Sequence, residues 1–284
     1  MPPDARAATV AGPARVVVAA RRPPRLGRFA FGIAVTAIYV FLLAPVAIIV
    51  FSSFNPTEAN TFPPGGFSLR WYGKFLESER FVGSFRFSLW LAVVAAVAAT
   101  LIGFVTAYGL VRGWQRGRGL VQSLAMLPMM VPHLLISISL LLALLIVPVP
   151  ELAVLIVGHV LICLPFTIAC IVASLEGIDA QLELAALTLG ASRARALWEV
   201  VIPLVAPGLL SALLFAFMVS FGDVYIALFL SGPGRTTLPI EVFAYMQWES
   251  TPVVAAITTV QILLIIGLGL VIERLVGLRK IMRV

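Results

Sequence analysis

The run FSLWLAVVAAVAATLIGFVTAYGLV, residues 87–111, holds 25 residues without one Asp, Glu, Lys or Arg. Wound as an α-helix at the standard rise it is about 37 Å long, enough to cross a hydrocarbon layer of ~30 Å. No polar face interrupts it, so an amphipathic surface helix is excluded and a transmembrane helix is the reading that decides the fold. Uncharged stretches recur on both sides, at 29–57, 119–150, 152–175, 200–222 and 250–272, and each is long enough to span. Pro is favoured near helix starts, so Pro203 and Pro207 are expected before the fifth helix and Pro252 before the sixth. The expected spans are 29–54, 86–111, 119–147, 151–175, 205–230 and 252–275, an all-α membrane protein of six helices. Pro148 and Pro150 mark a sharp turn between the third and fourth.

Composition agrees with a bilayer as solvent. Of 284 residues 61% are apolar and 12% charged, against about 25% charged in soluble domains, which excludes a soluble globular enzyme. The net charge of +7 sits in segments flanking the spans, not on one basic face with interleaved aromatics, so nucleic acid is not the partner and membrane lipid is. Residues 1–28 carry six Arg among Ala and Pro and read as a disordered basic tail; the apolar run after it is too long for a signal peptide and lacks a small-residue cleavage site. Numbered from that tail, the segments on its side of the membrane hold fifteen Lys and Arg and the opposite segments five. The positive-inside rule then puts both termini in the cytoplasm.

Little in the chain can do bond chemistry. The two lysines, Lys74 and Lys280, stand outside any Gly-rich phosphate loop, so ATP is not bound that way. Cys163 and Cys170 are seven apart in one span, about 10 Å along a helix, and cannot bridge. His133 follows Pro132 where broken backbone needs hydrogen-bond partners, and His159 lies mid-span; neither has a second ligand at metal spacing. No Ser/His/Asp or paired-carboxylate arrangement is expected near one membrane depth, so no catalytic residue and no metal site is expected. Asp223 is the one acid expected well inside a span, some 15 residues into the fifth helix, with Ser220 three residues earlier on the same face. That pair suggests a polar stripe facing either a translocation path or a partner helix.

Residues 177–203, on the tail's side, are too amphipathic to be a plain connector. Asp179 is placed to cap a helix bearing Leu182, Ala185, Ala186 and Leu189 on one face, Gly190 to end it in the left-handed conformation, and Ser192 to cap a second short helix through Val201. Two short helices joined by a glycine make a rigid knob for a partner protein.

The run Glu183-Leu184-Ala185-Ala186-Leu187-Thr188-Leu189-Gly190, with Val200-Val201-Ile202-Pro203 at its distance, resembles the EAA loop of ABC importer membrane subunits. Ala185, Ala186, Gly190 and Pro203 match the pattern by position; Leu184 occupies the place of its glutamate, with Glu183 just before. Ser68-Leu69-Arg70-Trp71-Tyr72, Phe75 and Phe81, Ser220-Phe221-Gly222-Asp223, and Ser231-Gly232-Pro233-Gly234 with Thr237-Leu238-Pro239 are similar to the spermidine/putrescine branch, although Gly222 stands where that branch usually has an acid. The resemblance covers residues 29–284. It implies the type I ABC importer permease fold in the inner membrane, with Glu183, Ala185, Ala186, Gly190 and Pro203 coupling to a cytoplasmic ATPase. It also implies two ATPase subunits that carry the ATP, a second and non-identical permease subunit, and a periplasmic or lipid-anchored solute-binding protein; no cofactor is expected on this chain. The solute implied is a polyamine, with iron, thiosulfate, molybdate, sugar or opine-like solutes as alternatives. A stand-alone secondary transporter or channel is the reading from another class, and would call for coupling-ion ligands on broken helices and an internal repeat.

Overall fold

The computed structural model describes residues 25–59, 61–113, 116–232 and 234–276. All regular structure among them is helical. Residues 1–24 of the basic tail and the C-terminal Arg279, Lys280 and Arg283 lie outside the described residues, as does Pro233. Residues 25–28, expected in the tail, form the first turn of helix α1 (Arg25–Ser52). The described chain divides at Ala47 into two units: most of α1 is one, and residues from Ile48 onward are the other.

Within the second unit three long helices carry the core: α3 (Glu79–Tyr108), α6 (Glu151–Glu176) and α9 (Ile202–Phe221), after the short helix α2 (Arg70–Glu77), the broken pair α4 (Arg118–Met130) and α5 (His133–Ile146), and the short helices α7 (Gln181–Thr188) and α8 (Arg193–Ala196). Helix α10 (Tyr225–Leu230), α11 (Leu238–Met246) and α12 (Val253–Val276) complete it. Without a hydrophobic driving force between helices in lipid, close packing depends on small residues. The buried face of α3 accordingly includes Ala92, Ala95, Ala96, Ala99 and Gly103 beside Leu91. A Cβ on Gly103 would stand 2.5 Å from Thr167 Oγ1 on α6, and that hydroxyl donates to Ala99 O across the contact at 3.1 Å.

Apolar clusters fill both ends as well as the middle. Trp71 and Phe75 of α2 are buried with Phe81, Leu238, Val253 and Ile257 at one end, and Trp71 Nε1 donates to Asn55 O at 2.6 Å. Ala107, Ile171, Leu175, Val201 and Val205 close the other end.

Two of the expected spans are not single straight helices with the expected bounds, the third being interrupted where Pro132 implies broken backbone. The third is broken at Val131 and Pro132 with a bend of 97° between α4 and α5; Pro132 has no N–H to continue the ladder and disfavours helical geometry in the residue before it. Among the described residues five helices are long and apolar enough to cross a membrane, and six if that bent pair is one span. The fifth begins earlier than 205 and ends earlier than 230. Residues Arg193–Phe221 form one apolar helix, in which Leu197–Val201 is a π-helical stretch. Proline inside a helix removes an N–H and crowds the preceding turn, and the wider π turn just before Pro203 makes room for it. The second short helix therefore runs on past Val201 into α9, and Pro203 lies within this continuous helix.

Candidate functional site

At the end of the molecule bearing Leu175 and Tyr108, α7 and α8 form the knob expected from sequence. Asp179 Oδ1 accepts from Gln181 N at 2.9 Å, an Asx turn one residue ahead of the Ala180 cap position. Gly190 has φ +91°; Gly190 N donates to Leu187 O and Ala191 N to Ala186 O, both at 3.0 Å. That pair of bonds is a Schellman motif, which needs the left-handed residue that glycine supplies without a Cβ clash. Ser192 then caps α8, its hydroxyl accepting from Arg195 N at 3.2 Å.

The apolar side chains of α7 point two ways. Leu182 and Leu184 are half exposed and Leu189 is 89% exposed; Ala185 is exposed, and Ala186 is half-buried. Glu183 is turned inward. Its Oε1 accepts a hydrogen bond from the Tyr108 hydroxyl, and its Oε2 lies 3.8 Å from Arg112 Nε. Arg112 Nη2 also donates to Ile178 O at 2.9 Å and Leu175 O at 3.3 Å, satisfying carbonyls at the C-terminal end of α6. A cavity of about 450 Å³ opens beside this cluster, lined by Tyr108, Arg112, Glu183, Leu184 and Arg193 among others.

Deeper in the spans, Ser220 and Asp223 do not share a helical face. Helix α9 stops at Phe221, and Asp223 sits in the break before α10. Its Oδ2 accepts from Ile226 N at 2.8 Å and Ala227 N at 3.3 Å, so the acid supplies acceptors for donors exposed where the helix is interrupted. Its Oδ1 lies 4.0 Å from His133 Nδ1. His133 opens α5, so the broken third span and the broken fifth span meet at one polar contact, with the Tyr225 ring edge-on to the imidazole at 6.4 Å. The Asp223 side chain is 2% exposed and that of His133 35%. Ser220 faces α6 instead, where His159 Nδ1 lies 2.8 Å from its Oγ. One turn away Cys163 Sγ donates to Ala216 O at 3.2 Å.

Neither the His133–Asp223 nor the His159–Ser220 pairing was read from sequence. The signal for the first was present: each of its residues directly follows a helix breaker, Pro132 or Gly222, so both were candidates to satisfy freed backbone.

Polar groups thus meet at a helix break between apolar helices, and a knob of two short helices stands at one end. Residues 99–279 match the family described as binding-protein-dependent transport system inner membrane component, and the chain belongs to that family. It is 32% identical over 249 residues to the spermidine/putrescine transport system permease protein PotC of Escherichia coli K12, covering 87% of this chain and 93% of that one. To the putrescine transport system permease protein PotI of the same strain it is 32% identical over 229 residues, 78% of this chain and 81% of PotI. The fold is that of ABC importer permeases: a chain of the bacterial alginate ABC transporter, crystallised with an alginate pentasaccharide-bound periplasmic protein, superposes with a TM-score of 0.67 at 14% identity, over 91% of this chain and 95% of that chain. The protein is thus an inner-membrane permease subunit of an ABC importer and not an enzyme.

Proposed function

We propose that this permease imports a polyamine, driven by ATP bound and hydrolysed on two partner subunits. The observation that carries the solute class is the likeness, at 32% identity over most of the chain, to permeases named for spermidine and putrescine. A second, non-identical permease completes the path and a periplasmic or lipid-anchored binding protein delivers the solute. Both termini and the α7–α8 knob face the cytoplasm. The exposed Leu182, Ala185 and Leu189 are the apolar surface that enters an ATPase groove, and Ala186, Gly190 and Pro203 fix its shape. Closure of the ATPase pair then pushes the knobs together and rocks the helices from inward to outward access.

Asp223 serves the cationic solute within that path. Its Oδ1 faces the partly exposed His133, so an ammonium group arriving from that side meets a carboxylate already held by two backbone N–H groups. Ser220, paired with His159, contributes by holding α9 against α6 beside this site. Asp223→Asn in the assembled complex tests the assignment: spermidine uptake falls strongly while permease assembly and ATPase binding persist. Lost assembly with normal uptake by the remaining complexes makes Asp223 a helix-packing acid instead.

A further inference from the structure

Helix α7 is joined to α6 by the four residues 177–180 and therefore follows α6 through the backbone. Its link to α3 is made by side chains. Tyr108, the last residue of α3, donates to Glu183, and Arg112, in the π-helical turn Gly109–Gly113 that continues α3, pairs with the same carboxylate while binding the α6 carbonyls of Leu175 and, just beyond, Ile178. The pair is partly dry, the two side chains being 17% and 19% exposed, so the interaction is screened less than a surface ion pair. The acid stands one position before the place of the EAA glutamate. One residue on a helix is a rotation of about 100°, which turns the side chain from the exposed face of α7 onto α3.

We infer that Tyr108 and Arg112 are positioning residues which, through Glu183, latch the knob to the end of α3, so that displacement of α7 is delivered to α3 as well as to α6. Helix α3 runs unbroken for 30 residues. At its far end Ser88 Oγ accepts from Leu238 N at 2.7 Å, and the Phe81 ring meets Tyr245 edge-on with centroids 5.4 Å apart. Movement of the knob thus reaches α11 at the opposite end along one stiff element. Residue Glu183 acts inside this chain, and the exposed leucines of α7 are left to meet the partner.

This inference rests on the reading of α7 as the ATPase-docking element, and the test separates the two. In the complex with its ATPase subunits in lipid nanodiscs, with Cys170→Ala and spin labels on Leu101→Cys of α3 and Gln181→Cys of α7, label separation is measured without nucleotide and after trapping with ATP and vanadate. With the latch intact the separation is the same in both states. Tyr108→Phe, which removes one oxygen and so spares folding, and Glu183→Ala make it shift between states; Glu183→Gln, which keeps an acceptor for Tyr108, gives a smaller shift. A separation in Tyr108→Phe and Glu183→Ala as constant as in the parent, with ATPase still bound, overturns the latch. Failure of the parent to hold the ATPase at all overturns the docking reading, and the latch with it.

Discussion

His159 Nδ1 on α6 and Ser220 Oγ on α9 lie 2.8 Å apart with both residues buried, a hydrogen bond between two membrane-spanning helices. His159 Nε2 has no hydrogen-bond partner among the described residues, so the serine is what satisfies the ring among them. Interhelical bonds in lipid contribute about 0.6–2 kcal/mol. Ser220→Ala lowers the thermal midpoint of the detergent-purified permease accordingly, because it leaves a buried imidazole unsatisfied. His159→Leu added to Ser220→Ala recovers part of that loss, since replacing both partners with apolar groups is cheaper than orphaning one. Thermal denaturation of the single and double variants checks this; a double variant less stable than the single one contradicts it.

The contact of α3 with α6 has no room for a side chain at Gly103. Gly103→Val forces Thr167 aside and costs on the order of 1–3 kcal/mol of overpacking, visible as aggregation or a lowered midpoint in the same assay. Gly267→Ala, where a Cβ meets nothing within 4 Å, leaves the midpoint unchanged or slightly raised.

Gly190 at φ +91° is the hinge of the knob. A β-branched or bulky residue in the left-handed region costs about 1–2 kcal/mol, and at an exposed turn the cost appears as a displaced α7 more than as unfolding. Gly190→Arg is expected to insert normally, lose at least nine-tenths of uptake and retain less ATPase on co-purification. Normal uptake by a well-inserted variant contradicts the docking surface proposed for α7.

Orientation has its own test, motivated by the fifteen-to-five division of basic residues. Reporter fusions after Arg118 and at Val284 are expected inside, and fusions near Gly66 and Gly234 outside. An outside signal at Val284 removes one crossing.

Most of this architecture was legible because lipid imposes a simple rule: an uncharged run of 20 or more residues crosses, and charge marks the ends. The knob was legible because Gly190 and Ser192 each have a local, backbone-level reason to stand where they do. What escaped reading depended on the third dimension. Asp223 looked like a mid-helix acid because the chain is apolar on both sides of it, yet Gly222 ends α9 and the carboxylate takes up the N–H groups of Ile226 and Ala227. Ser220 looked like its companion by spacing of three, and the break between them sends one side chain to α6 and the other to α5. The motif alone places Glu183 toward a partner; its inward turn depends on Tyr108, 75 positions away, which no local pattern reveals.

Uptake of labelled spermidine by proteoliposomes containing this permease, its partner permease and the ATPase pair, with the binding protein outside and ATP inside, tests the central claim most directly. The result expected is uptake that requires both ATP and the binding protein, is competed by putrescine and falls sharply in Asp223→Asn. An intact, ATP-hydrolysing complex that accumulates neither spermidine nor putrescine contradicts it.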